Sequence, residues 1–191
     1  AGAIILGKTN MPTLAMDIQS NSPLFGRTNN PWDITRTPGG STGGGAASIA
    51  AGFSPLEIGS DIGGSVRIPA HFCGIYSLKP TDHLVSLAGH IPEPPGAPQG
   101  VRHMGMPGPL ARSVEDLRLA LSLIAGPDGR RWEMPPISMP AVKKKAFKDY
   151  RFAWTDSFAG VTASRDTQAA LRKLATDLTN AGCQVEKVTP P

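Results

Sequence analysis

Two serines in this sequence sit in glycine-rich settings suited to nucleophilic chemistry. Ser41 lies in "RTPGGSTGGGAAS" (36–48), and Ser65 lies in "IGSDIGGSVRIP" (58–69), 24 residues further on. A serine hydroxyl attacks a carbonyl only when a base takes its proton. Glycine-rich turns beside it supply backbone N–H groups that can converge on a developing oxyanion. Glycines also let the backbone approach a ligand closely. Gly39–Gly43 spells G-x-S-x-G as well, the pattern of a nucleophile elbow. That elbow needs a strand directly before the serine, and "NPWDITRTP" carries two prolines and several polar residues instead. An esterase of that kind also needs an acid and then a histidine downstream. Asp82 with His90 or His103 are the candidates, and no motif marks them. A phosphate loop is weaker still: no G-K-[ST] follows the glycines, and the "GKT" at 7–9 lacks its upstream glycine.

The elements that must position these loops are legible in outline. Gly2–Leu6 is apolar and β-branched, and reads as a buried strand. Residues 8–33 read as one short helix with loops. Gly43–Gly52 has small residues and a closing glycine, which predicts a short buried helix. Pro55–Ser60 reads as a strand, Gly63-Gly64 as a sharp turn, and Val66–Cys73 as the start of a helix. Tyr76–Thr81 reads as a strand, and 82–108 as a surface excursion rich in Pro, Gly and His. Ser113 with Asp116 marks a helix N-terminus, and the Leu-rich run ends at Gly126-Pro127. Residues 128–148 resemble a linker. Arg151–Thr155 is a predicted strand. Leu171, Leu174, Ala175 and Leu178 give 164–181 one apolar face, and Cys183–Val188 is a last strand. Strand–helix–strand alternation argues an α/β sandwich.

Composition narrows the function classes. The chain has 191 residues, 40% of them hydrophobic, with a formal charge of +4. Its one dense basic run, Lys143–Lys145 with Lys148, has no interleaved aromatic residues and reads as a solvated loop, so no nucleic acid is expected. Two cysteines, Cys73 and Cys183, lack metal-ligand spacing and form no disulfide framework, which points to a reducing, cytoplasmic setting. No apolar run approaches the length of a membrane span. No metal or cofactor is implied, and nothing excludes a homo-oligomer.

Read as one unit, "GGSTGGGAASIAAGFSPLEIGSDIGGSVRIPAHFCGIYSLKPT" (39–81) resembles the amidase signature family. The flanks "GAIILGKTN", "SPLFGRTNNPWDITRTPGG" and "GPLARSVEDLRLALSLIAGPD" are similar to family segments and follow in the family's order. The resemblance implies one partial domain over 1–191 with a signature core at 36–81. It implies an α/β/α sandwich with a mixed central sheet, only part of it in this chain. It further implies hydrolysis of a small-molecule amide through a Ser–Ser–Lys triad. Carried over by position, Ser65 is the nucleophile, and Ser41, after a cis peptide, relays the proton. The N–H groups of Ile62, Gly63, Gly64 and Ser65 form the oxyanion hole, and Arg67, Thr42 and Asp61 support the site.

The triad lysine of the family lies upstream of the "GAIILGKTN" segment. Lys8 and Lys79 match other family positions and are not nominated as the base. The chain opens without Met inside an apolar run, and reads as cut from a protein about twice its length. The other segments of its own fold are therefore expected partners. Alone, the piece is expected to be inactive and to expose apolar surface. Transamidating relatives that form Gln-tRNA carry Gln one residue after the arginine equivalent to Arg67; Ile68 stands there instead. A general amidase is thus expected rather than a component of a tRNA amidotransferase or a non-catalytic amidase-like module. Segments 14–27 and 83–108 are where specificity is expected to be set.

Overall fold

The computed structural model describes residues 2–90, 104–129, 134, 136, 143 and 145–190. The centre of the expected excursion (91–103) and most of the expected linker at 128–148 lie outside the described residues. The chain forms two units, Ala1–Met139 and Pro140–Pro191.

In the first unit a short hairpin pairs β1 (Asn21–Ser22) with β2 (Gly26–Arg27). Helix α1 (Gly43–Ala50) then leads into β3 (Leu56–Asp61), α2 (Arg67–Cys73), β4 (Tyr76–Ser77), β5 (Met106–Ala111) and α3 (Val114–Ile124). The sheet runs β3–β5–β4, with β5 antiparallel to both neighbours. Ala46 and Ile49 of α1, Ala70 and Cys73 of α2, Val66 and Leu110 form the buried core.

Helix α1 has no side-chain cap of its own. Its first free N–H groups find distant partners instead: Gly43 N donates to the Ser20 hydroxyl at 2.9 Å, and Gly44 N to Asn10 O at 3.2 Å. Such orphan donors must be satisfied when a helix end is buried. The approach leaves no room: a Cβ at Gly44 would lie 2.3 Å from Asn10 O and 2.6 Å from Asn10 N. Gly44→Ala is therefore expected to destabilise the intact protein by about 2–3 kcal/mol, as overpacking does. A denaturant titration checks this, and an unchanged midpoint refutes it. At the other end of α1, Arg112 Nη1 donates to Ile49 O and Ser54 O. Helix α3 is capped as the sequence predicts, with the Ser113 hydroxyl accepting from Asp116 N at 3.0 Å.

Three expectations need correction. Gly2–Leu6 forms no strand; Ile4 and Ile5 are each 88% exposed. An apolar run becomes a buried strand only where a neighbouring strand and a covering layer exist, and no described strand pairs with it. Residues 8–33 hold one 3-10 turn (Thr13–Ala15) rather than a helix. The expected excursion runs too far: Met106–Gly108 belong to the buried central strand β5. Pro107 and Pro109 conceal that strand, because a proline cannot donate to a ladder. Pro109 O accepts from Leu78 N, so the odd-numbered positions face β4. That partner is two residues long, so the missing N–H groups fall where little ladder exists, and the β3 side stays intact.

In the second unit β6 (Arg151–Trp154) and β9 (Gln184–Lys187) pair in parallel, connected through α4 (Arg165–Asn180). Between β6 and α4 lies a small hairpin, β7 (Ser157–Phe158) with β8 (Val161–Thr162). The Ser164 hydroxyl caps α4 by accepting from Thr167 N. Leu171, Ala175 and Leu178 are half-buried as its periodicity predicts, whereas Leu174 is 54% exposed. Helices with antiparallel and parallel sheets make this an α/β fold. Among the described residues no helix is long and apolar enough to cross a membrane.

Candidate active site

Ser65 sits in the turn that joins β3 to α2, and Asp61, the last residue of β3, organises that turn. The Asp61 side chain is fully buried. Its Oδ1 accepts from Gly64 N at 2.8 Å and from Arg67 Nη2 at 2.8 Å. Its Oδ2 accepts from Val66 N at 3.0 Å and from Arg67 Nε at 3.1 Å. Burial raises the carboxyl pKa, but Arg67 and the Val66 and Gly64 amides outweigh it and hold the value down at about 2. A carboxylate accepting several N–H bonds behaves this way. The tight turn also requires Gly64, at φ +120°, where a Cβ would lie 2.7 Å from Ile68 Cδ1.

This arrangement divides the backbone donors of the turn. The Gly64 N–H is committed to Asp61. The N–H groups of Ile62, Gly63 and Ser65 have no acceptor among the described residues. Gly63 and Ile62 are exposed, and Ser65 is half-buried. A Cβ at Gly63 would meet nothing within 4 Å, so neither packing nor a positive φ demands that glycine.

The second loop lies against the first. Thr42 N donates to Ser65 O at 3.1 Å, which places Ser41 one residue from the contact. Ser41 is 1% exposed, and the Gly40–Ser41 peptide is cis. The Thr42 side chain fills the space over β3, where a Cβ on Gly59 would lie 2.5 Å from its Oγ1. The structure thus collects Ser41, Thr42, Asp61, Ile62, Gly63, Gly64, Ser65 and Arg67 into two adjoining loops.

Sequence reasoning missed Ser20. This residue is fully buried, and its hydroxyl lies 2.9 Å from Gly39 O, 3.2 Å from Ser41 O and 2.9 Å from Gly43 N. No local signal marks it, because its partners are 19 to 23 residues away. The loop before Ser41 is also pinned from outside: Asn30 Nδ2 donates to Phe72 O, and Trp32 Nε1 donates to Cys73 O at 2.7 Å.

The elbow reading of Ser41 fails on geometry. Residues 34–42 are turns, bends and irregular backbone with no strand before the serine. His90 is exposed, Asp82 lies 3.4 Å from His83 Nε2, and His103 falls outside the described residues. Cys73 is no rival nucleophile, since burial pushes its thiol up to about 11. The thiolate is the reactive form of a cysteine.

A family model described as Amidase matches residues 1–191. The chain is similar to a glutamyl-tRNA(Gln) amidotransferase component from Alkaliphilus metalliredigens, with 45% identity over 150 residues, 78% of this chain and 28% of that protein. The corresponding amidotransferase component of Methanosarcina barkeri is 39% identical over 195 residues, covering 100% of this chain and 39% of its own length. Among solved structures, the native peptide amidase of Stenotrophomonas maltophilia superposes with a TM-score of 0.80 at 30% identity, over 100% of this chain and 40% of that one. The chain thus spans between a quarter and two fifths of these relatives' length.

Proposed function

This chain belongs to the amidase family, and we propose that it carries the acylating part of a centre that hydrolyses a carboxylic amide. The carrying observation is the β3–α2 turn, where Ser65 stands among three N–H groups with no acceptor among the described residues and touches the Ser41 loop through Thr42.

In this reading the Ser65 hydroxyl gives its proton to Ser41, which passes its own to a base. The family resemblance assigns that base to a lysine outside residues 1–191. Ser65 Oγ bonds to the amide carbon, and the carbonyl electron pair moves onto oxygen. The N–H groups of Ile62, Gly63 and Ser65 stabilise that oxyanion, typically the largest single contribution in acyl transfer. Gly64 supports the hole from behind, its N–H spent on holding the turn to Asp61. Collapse breaks the C–N bond, and a proton returned through Ser41 lets the amine leave. Water then attacks the Ser65 ester, releasing the acid and restoring both hydroxyls. Arg67 acts on Asp61, whose carboxylate both its Nε and Nη2 reach.

Mass mapping of the intact protein after fluorophosphonate treatment tests the reading. The adduct is expected on Ser65, and an adduct on Ser41 overturns it.

A second reading, the amidase-type component of a tRNA amidotransferase, draws on the identity to the Alkaliphilus protein. Ile68, beside Arg67, supports the free-standing amidase instead. Turnover of small amides by the purified protein alone supports the amidase. Turnover only in the presence of further protein components and glutamyl-tRNA supports the other.

A further inference from the structure

The Ser41 side chain is buried and its hydroxyl makes no hydrogen bond with any described residue, so what the fold holds is the backbone that carries it. Besides the bond from Thr42 N to Ser65 O, one side chain holds that backbone. The carbonyls of Gly39 and Ser41, on either side of Gly40, both face the Ser20 hydroxyl at 2.9 and 3.2 Å. The same oxygen accepts from Gly43 N at 2.9 Å, at the start of α1. One proton is thus shared between two acceptors, and one lone pair takes up a helix donor. The fit is close: a Cβ at Gly43 would lie against the Ser20 oxygen, with only 2.2 Å between them. Solvent does not reach this hydroxyl, because Ser20 has no exposed surface.

Ser20 is itself held firmly. Asp17 Oδ1 accepts from Gln19 N at 2.7 Å and from Ser20 N at 3.1 Å. Ser20 O accepts from Thr28 N at 3.1 Å, and Gln19 O accepts from the Thr37 hydroxyl at 3.2 Å. Ser20 also stands at φ +52°, in the left-handed region that non-glycine residues seldom occupy. Backbone held in sparsely populated regions persists only where the surroundings over-determine it.

We propose that Ser20 is a positioning residue for amide hydrolysis: its hydroxyl joins Gly39 O, Ser41 O and Gly43 N and so fixes the backbone from which the Ser41 hydroxyl projects. The inference rests on the reading above in which Ser41 relays a proton from Ser65. A buried cap of α1 and nothing more would cost stability but not the rate of the folded enzyme.

The test uses the intact protein and a chromogenic amide. Ser20→Ala is expected to lower kcat by about 10- to 100-fold with KM within about threefold, as mutation of supporting partners does in other sites. It is expected to slow fluorophosphonate labelling of Ser65 by the same factor. Leu117 is buried on α3, so Leu117→Ala, which opens a cavity there, serves as the stability control and is expected to keep kcat near wild type at a matched Tm. Loss of kcat in Ser20→Ala no larger than in Leu117→Ala overturns the proposal. If Ser20→Ala does not fold, Ser20→Cys, with its weaker donor and acceptor, is expected to show an intermediate kcat; a wild-type value overturns the proposal. Full turnover in Ser65→Ala or Ser41→Ala would sink the underlying mechanism itself. Inactivity of both beside an unaffected Ser20→Ala would sink only the role of Ser20.

Discussion

Ser65→Ala is expected to reduce kcat/KM for an amide by about 10⁴-fold or more, the scale seen when a serine nucleophile is removed. Fluorophosphonate labelling should vanish with it. The fold should be indifferent, because the Ser65 side chain makes no hydrogen bond with any described residue. An unchanged Tm beside lost turnover is therefore the expected pair of results. Ser41→Ala should be milder, about 10²- to 10⁴-fold, because it removes a proton route and leaves the nucleophile. The double variant should be little worse than Ser65→Ala, since residues acting as a unit are not additive. Retention of a tenth of the activity in Ser65→Ala would exclude it as nucleophile. The N–H groups of Ile62, Gly63 and Ser65, without an acceptor among the described residues, would then need another explanation.

Asp61→Asn should produce the largest loss of stability. The Asp61 carboxylate accepts from Gly64, Val66 and both forked donors of Arg67 at 3.1 Å or less, with no exposed surface. An amide retains one acceptor and brings a donor into a site lined with donors. Stranding buried groups costs about 1–3 kcal/mol each, so a total on the order of 3 kcal/mol is expected. The Arg67 side chain is 54% exposed and its head can turn to water, which limits the loss. Activity should fall as well, because the same bonds shape the turn that presents Ser65.

The pH dependence follows from the sign of the shift. In the folded protein the Asp61 carboxyl is held at about 2, below its ordinary 3.8. A depressed carboxylate binds protons more readily when unfolded. Its stabilisation is thus present above about pH 4 and fades as pH falls towards 2. Wild-type Tm should drop across that window, and Asp61→Asn should lose this component of the drop. Parallel Tm curves for the two proteins between pH 5 and 2 would show that Asp61 is not the group responsible.

Different parts of the molecule were legible to different degrees. Helices α3 and α4 could be read closely, because Ser113 and Ser164 cap three residues ahead and the stop at Gly126 is local. Helix α1 was legible from its small residues and from Gly52, but not its N-terminal partners, which come from Asn10 and Ser20. Strand β5 was hidden because its two prolines oppose a strand in any local scale. Only the shortness of β4 on one side makes them tolerable. Gly2–Leu6 misled in the opposite direction, since apolar β-branched composition states a preference and not the presence of a partner.

By itself the sequence determined the chemistry on offer: two serines in glycine-rich loops 24 residues apart, an aspartate four residues before the second, and an arginine two residues after it. Residue type and short spacing suffice for that, since they decide which groups a turn can present. Tertiary structure alone decided how those groups are spent. It assigned the Gly64 N–H to Asp61 and left those of Ile62, Gly63 and Ser65 without an acceptor among the described residues. It bound Thr42 to Ser65 and brought Ser20 to the Ser41 loop. The physical reason is that a buried donor or acceptor must be satisfied by whatever the completed fold brings within about 3 Å. That partner is chosen by packing, not by proximity in sequence.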